Sequence, residues 1–146
     1  MHAQQIFVAA IVAFGATFTQ AGPIEARALG DIKLGNLGSI GCNVARLKIV
    51  QAMGAAKTAA NGIADETVKA ATLDGINQAN AGISNIGKAI TSGTAPPDTE
   101  RSKVEAGITA AIAAAAGGDQ ADTNVAGASK ALGDAAKAGQ DVVAQC

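Results

Sequence analysis

The 146-residue sequence has no tryptophan and no tyrosine, and its three phenylalanines and single histidine crowd into the N-terminus as Phe7, Phe14, Phe18 and His2. Beyond Phe18 the chain offers no aromatic face on which a nucleobase or a sugar ring would stack. It also offers no imidazole, the base that activates serine and cysteine nucleophiles near neutral pH and a common zinc ligand. An excess of either charge is missing too, since eleven Lys and Arg stand against twelve Asp and Glu. That balance leaves no basic footprint for nucleic acid or anionic lipid. The apolar run Ile6–Phe14 is too short to span a bilayer, so no membrane span is expected. No Asn-x-Ser/Thr sequon occurs, and N-glycosylation is not expected.

That run, followed by small residues at Thr19 and Ala21, reads as a secretory signal peptide over residues 1–21 with cleavage before Gly22. Its flanking MHAQQ lacks the usual Lys or Arg. Gly22–Gly41 reads as a flexible, Gly-punctuated arm, with Arg27 as a candidate processing site and Leu37 and Ile40 packing onto the helix that follows. Its glycines do not make a phosphate loop, because no Gly-Lys-Ser/Thr closes them. Two cysteines remain, Cys42 and Cys146, and an even count in an exported chain points to one intramolecular disulfide.

The stretch Asp65–Ser92 organises the remainder. Val68, Thr72, Ile76, Ala79, Ile83, Ile86 and Ile90 recur at steps of three and four, which makes one face of a long helix. Asp65 is placed to cap its start and Gly93 to end it. Before it, Cys42–Ala60 carries Cys42, Ala45, Ile49, Met53, Ala56 and Ala60 on one face and stops at Asn61-Gly62. After it, Pro96-Pro97 breaks the chain, with Thr94 or Asp98 near the cap of a third helix, Asp98–Ala116. That helix faces inward through Val104, Ile108, Ala111, Ile112 and Ala115 and ends at Gly117-Gly118. A fourth, from Asp122 or Thr123 to Cys146, shows the stripe Val125, Ala128, Leu132, Ala135, Gly139, Val143 and Cys146.

Short connections between four amphipathic helices predict an all-α, up-down-up-down four-helix bundle over residues 42–146, rich in Ala and Gly. Cys42 starts the first helix and Cys146 ends the fourth, so alternation of direction brings both to one pole. The Asp98–Cys146 half holds few large aliphatics, and Gly inside a helix costs about 1 kcal/mol relative to Ala. In compensation, small residues let helix backbones approach closely.

Constellations that carry chemistry are sparse. Asp65/Glu66, Asp98/Glu100 and Asp119/Asp122 are carboxylate pairs, but each sits at a helix start, where capping and the macrodipole account for it. Ser102 beside Lys103 and Ser129 beside Lys130 are adjacent on a helix and face different ways. Asp122-Thr-Asn124-Val-Ala126-Gly127 matches part of a calcium loop, but Ala126 and Gly133 stand where ligands are required. Threonines such as Thr58, Thr72, Thr91 and Thr109 keep no common period, which sets aside an ice-binding face. No catalytic, cofactor-binding or metal-ligating residue is therefore assigned, and a non-enzymatic protein is expected. What stands out is apolar surface: Val44, Leu47, Ile49, Val50 and Met53 on the first helix exceed what one buried face needs. Either the arm covers the excess, or it forms an exposed patch or a ligand groove.

A short leader, an Ala/Gly/Ile-rich helical chain and one cysteine pair resemble the small secreted proteins of filamentous fungi. The nearest likeness is to hydrophobic surface-binding proteins and helical cell-wall mannoproteins. The resemblance spans Gly22–Cys146 in composition and plan only, so no functional residue is carried over. It implies a secreted, extracellular or cell-wall associated protein acting at an apolar surface, a wall polymer or a host protein. The alternatives are a carrier holding a lipid or other apolar ligand between its helices, and an effector or elicitor recognised by a host protein. A pocket lined by Ile76, Ile83, Ile108 and Leu132 would favour the carrier.

Overall fold

The computed structural model describes residues 39–146. The expected signal peptide, its cleavage site before Gly22, Arg27 and the arm as far as residue 38 lie outside the described residues. Four helices follow one another: α1 (Ile40–Asn61), α2 (Glu66–Thr91), α3 (Asp98–Ala116) and α4 (Thr123–Gln145). The all-α bundle is as the periodicity predicts, and Cys42 and Cys146 form a disulfide with Cα atoms 5.0 Å apart.

Local chemistry sets the helix ends. Ser39 caps α1, its side chain accepting from the Cys42 N–H at 3.2 Å. The helix therefore starts before Cys42, and the last residues of the expected arm, Ile40 and Gly41, are helical. Ile40 does not pack back onto α1 but begins it, 41% exposed. Asp65 caps α2 as expected, its Oδ1 accepting from the N–H groups of Thr67 (2.8 Å) and Val68 (3.0 Å). Gly93 ends the segment with φ at 74°, a left-handed conformation that suits glycine. Thr94 closes α2 rather than opening α3, because its hydroxyl donates to the Ala89 carbonyl at 3.0 Å. The cap of α3 falls to Pro97, which makes no side-chain bond, and Asp98 lies inside the first turn. Asp122 caps α4.

The four helices alternate in direction but are not equally close. The tight pairs are α2 with α3 and α1 with α4; the sequence neighbours α1/α2 and α3/α4 touch more sparsely. Small residues explain the α2/α3 pair. A Cβ on Gly75 would lie 2.6 Å from the Ala111 nitrogen, and one on Gly107 2.7 Å from the Gly75 carbonyl oxygen. Only glycine permits that backbone approach. In the α1/α4 pair Gly127 faces the Ala59 methyl, Gly139 faces Ile49, and the disulfide ties one end.

The core fills the middle of the bundle and the pole opposite the disulfide. Met53, Ile63, Ile76, Val125 and Leu132 are its largest fully buried apolar side chains. Ile63, in the α1–α2 connection, plugs that pole. The same connection is tied to the start of α4: the Ala64 N–H donates to Asp122 Oδ2 at 3.1 Å, and Asn124 Nδ2 donates to the Gly62 carbonyl at 2.8 Å.

One predicted face is corrected. On α4 Val143 is 77% exposed, while Ala131 and Ala138 are buried. Pairing with α1 turns the buried face of α4 toward those alanines. Val125 lies on the same edge of the helix as Val143, but at its end of the bundle Gly118 closes over it. At the disulfide pole nothing equivalent among the described residues covers Val143.

Candidate functional site

The connections determine where the bundle can open. Both links between the two tight pairs, residues 62–65 and 117–122, lie at the pole of Ile63. At the disulfide pole each remaining link stays within one pair: residues 92–97 join α2 to α3, and the disulfide joins α1 to α4. Among the described residues no covalent connection crosses between the pairs there.

A cavity of about 660 Å³ occupies that seam. Its wall is aliphatic on all four helices: Ile49 and Val50 from α1, Ile83, Ile86 and Ile90 from α2, Val104, Ile108 and Ile112 from α3, Val142 and Val143 from α4. The space exists because the facing positions on α4 are Ala136 and Gly139, too short to reach across. Ile83, Ile86 and Ile90 accordingly remain half-buried, although the periodicity marks them as core. The volume falls within the roughly 300–1,000 Å³ typical of small-molecule pockets. Polar groups are few and gather on Arg46, Arg101, Glu105, Thr109 and Gln140. Arg46 is half-buried and donates to Asn43 Oδ1 at 3.3 Å. Cys146 borders the cavity, so the disulfide helps to frame it.

The pocket expected from the sequence is half right. Ile83 and Ile108 line it, whereas Ile76 and Leu132 are sealed in the core nearer the other pole. Spacing alone places all four on inward faces; only the divergence of the pairs separates them. The sequence pattern points to no site at Val142 and Val143; their clustering beside Cys146 is the available signal.

The carboxylates do not converge. Asp65 and Asp119 accept backbone N–H groups in their own turns, and Glu66 pairs with Lys69 at 3.2 Å. Glu100 accepts from Lys103 at 2.8 Å and from Asn85 of α2 at 3.0 Å, bonds that hold its carboxyl below the usual range. Asp122 is lowered first by the Ala64 N–H and then by that of Asn124. Lys130 pairs with Asp134 at 3.0 Å, not with Ser129. Among the described residues no group of three His, Cys, Asp or Glu gathers to hold a metal, and no helix is long and apolar enough to cross a membrane.

No protein-family model, curated protein or solved structure matches this chain.

Proposed function

We propose that this is a secreted, non-enzymatic carrier that holds an aliphatic ligand between its helix pairs. The observation that carries the reading is the cavity of about 660 Å³ walled by Ile, Val and Ala at the pole where, among the described residues, no link joins the pairs. Burying apolar surface there contributes about 25 cal/mol per Å². A flexible chain suits walls that offer no aromatic ring for a flat ligand to stack on. Entry needs no unfolding: the pairs part at the disulfide pole and stay joined at the other, where Ile63 and the Asp122–Ala64 bond hold. The test is native mass spectrometry of the protein recovered from culture medium, before and after delipidation, with the Gly139→Leu variant beside it. A co-purifying apolar ligand, lost in Gly139→Leu while the helical signal persists, supports the carrier. An empty wild-type protein that takes up no single-chain lipid on titration refutes it.

A second reading, attachment to an apolar solid or a cell wall, draws on a separate observation. Ile40, Val44, Leu47, Val50 and Val143 stand exposed. Adsorption to an apolar solid that Leu47→Glu abolishes would favour it.

A further inference from the structure

The cavity wall is not equally secured on its four helices. Along α4 the last buried side chain is Ala138, and from Gly139 to Cys146 every residue is half-buried or exposed. Yet this end supplies Gly139, Gln140, Val142, Val143, Ala144 and Cys146 to the wall. Apolar packing gives these residues little hold, and a helix end without it frays. The covalent fastening there is the disulfide, which joins Cys146 to Cys42, 1% exposed in the first turn of α1. Nearby the Ser39 hydroxyl donates to the Gln145 carbonyl at 3.4 Å, a long bond on the surface. The start of α4 is held otherwise: Val125, Ala128 and Leu132 are buried, and Asp122 and Asn124 bond to the α1–α2 connection.

We infer that the disulfide is a redox latch on the cavity: reduction by a dithiol frees the end of α4 and releases the ligand. The inference rests on the carrier reading. Its chemistry is thiol–disulfide exchange. Cys146 is exposed and Cys42 is buried, so a thiolate of the dithiol attacks the Cys146 sulfur. The S–S bond breaks, and Cys42 leaves as a thiolate and takes up a proton. The second thiolate of the dithiol then displaces Cys146 from the mixed disulfide, and Cys146 is protonated in turn. The dithiol departs as a cyclic disulfide, having given the protein two electrons and the two protons of its thiols. With the bridge open, the residues after Ala138 lose their covalent tie, and the cavity loses one wall. Ile49 of α1 and Val104 and Ile108 of α3 line the cavity from buried positions, so those walls stay. The coupling runs both ways. Cys146 borders the cavity, so a bound chain packs against the helix end that reduction must free. Whatever factor reduction takes from the affinity, binding adds to the resistance of the disulfide to reduction.

The test uses the protein recovered from culture medium, with dodecanoate as the probe and dithiothreitol as the reductant. Native mass spectrometry reads the dodecanoate held by the oxidised and the reduced protein, and hydrogen exchange locates what reduction frees. Reduction weakens retention roughly tenfold or more. It deprotects amides from Gly139 onward and in the opening turns of α1, while α2 and α3 stay protected. Saturating dodecanoate shifts the exchange equilibrium with dithiothreitol toward the disulfide by the same factor, read by thiol alkylation and intact mass. Equal retention by the two forms overturns the latch and leaves the carrier standing. Loss of protection in all four helices overturns it too, because release is then general unfolding. A disulfide reduced to the same extent with and without dodecanoate does likewise. An oxidised protein that takes up no dodecanoate removes the carrier reading, and the latch with it.

Discussion

Glycine-to-alanine substitutions at different points of this bundle should have opposite signs, and the comparison measures how closely α2 and α3 approach. Inside a helix the exchange by itself gains roughly 0.5–1 kcal/mol, through a smaller loss of backbone entropy. At Gly54 of α1 and Gly133 of α4 an added Cβ meets nothing within 4 Å, so each variant should gain that amount. At Gly107 the same methyl would lie 2.5 Å from the Ala79 nitrogen and 2.7 Å from the Gly75 carbonyl oxygen. Those atoms are backbone on the facing helix and cannot rotate aside. Relief requires the helices to separate, which also loosens the contacts of Ala79 and Ala111. Overpacking of this kind costs about 1–3 kcal/mol, enough to reverse the propensity gain. Gly107→Ala should therefore be net destabilising by about 1–2 kcal/mol. Urea unfolding followed by far-ultraviolet circular dichroism suits a chain without tryptophan, and the midpoints should fall on either side of the wild type. A Gly107→Ala variant as stable as Gly54→Ala would refute the close α2/α3 approach.

Further outcomes follow from single groups. Thr72 is fully buried and its hydroxyl has no hydrogen-bond partner, so Thr72→Val, which keeps the shape, should raise the unfolding free energy by about 1 kcal/mol or more, read as a higher urea midpoint. Asp122 is held below its ordinary value of 3.8 by hydrogen bonds from Ala64 and Asn124. The folded pKa lies below the unfolded one, so its contribution is complete above the unfolded value and is lost as pH falls through the folded value. Acid titration of stability should show this loss below about pH 4 in the wild type and less of it in Asp122→Asn. The disulfide closes a separation of 104 residues, worth up to about 4.7 kcal/mol by chain-entropy arithmetic. Reduction should deprotect amides first in the opening turns of α1 and the closing turns of α4, with α2 and α3 retaining protection longer in native-state hydrogen exchange. Equal loss in all four helices would contradict the division into pairs.

The sequence alone determined the four helices, their capping residues Asp65 and Asp122, their stop at Gly93, the buried stripe of α1 and the disulfide. All of these depend on interactions within a few residues or on a periodicity that a helix imposes, and Cys42 with Cys146 left only one internal pairing. The partition of the core was not legible in that way. Ile76 and Ile83 share one face of α2 and differ by less than two turns, yet one is sealed and the other lines a cavity. The difference arises from residues remote in sequence: Gly75 and Gly107 draw two helices together, Ala136 and Gly139 leave a gap, and Ile63 plugs one pole only. Val143 followed the apolar period of Val125 but emerged at the open pole, where no loop among the described residues covers it. Only folding turned Val44, Leu47 and Val50 outward on α1, because the opposite face is buried through Cys42, Ala45 and Ile49.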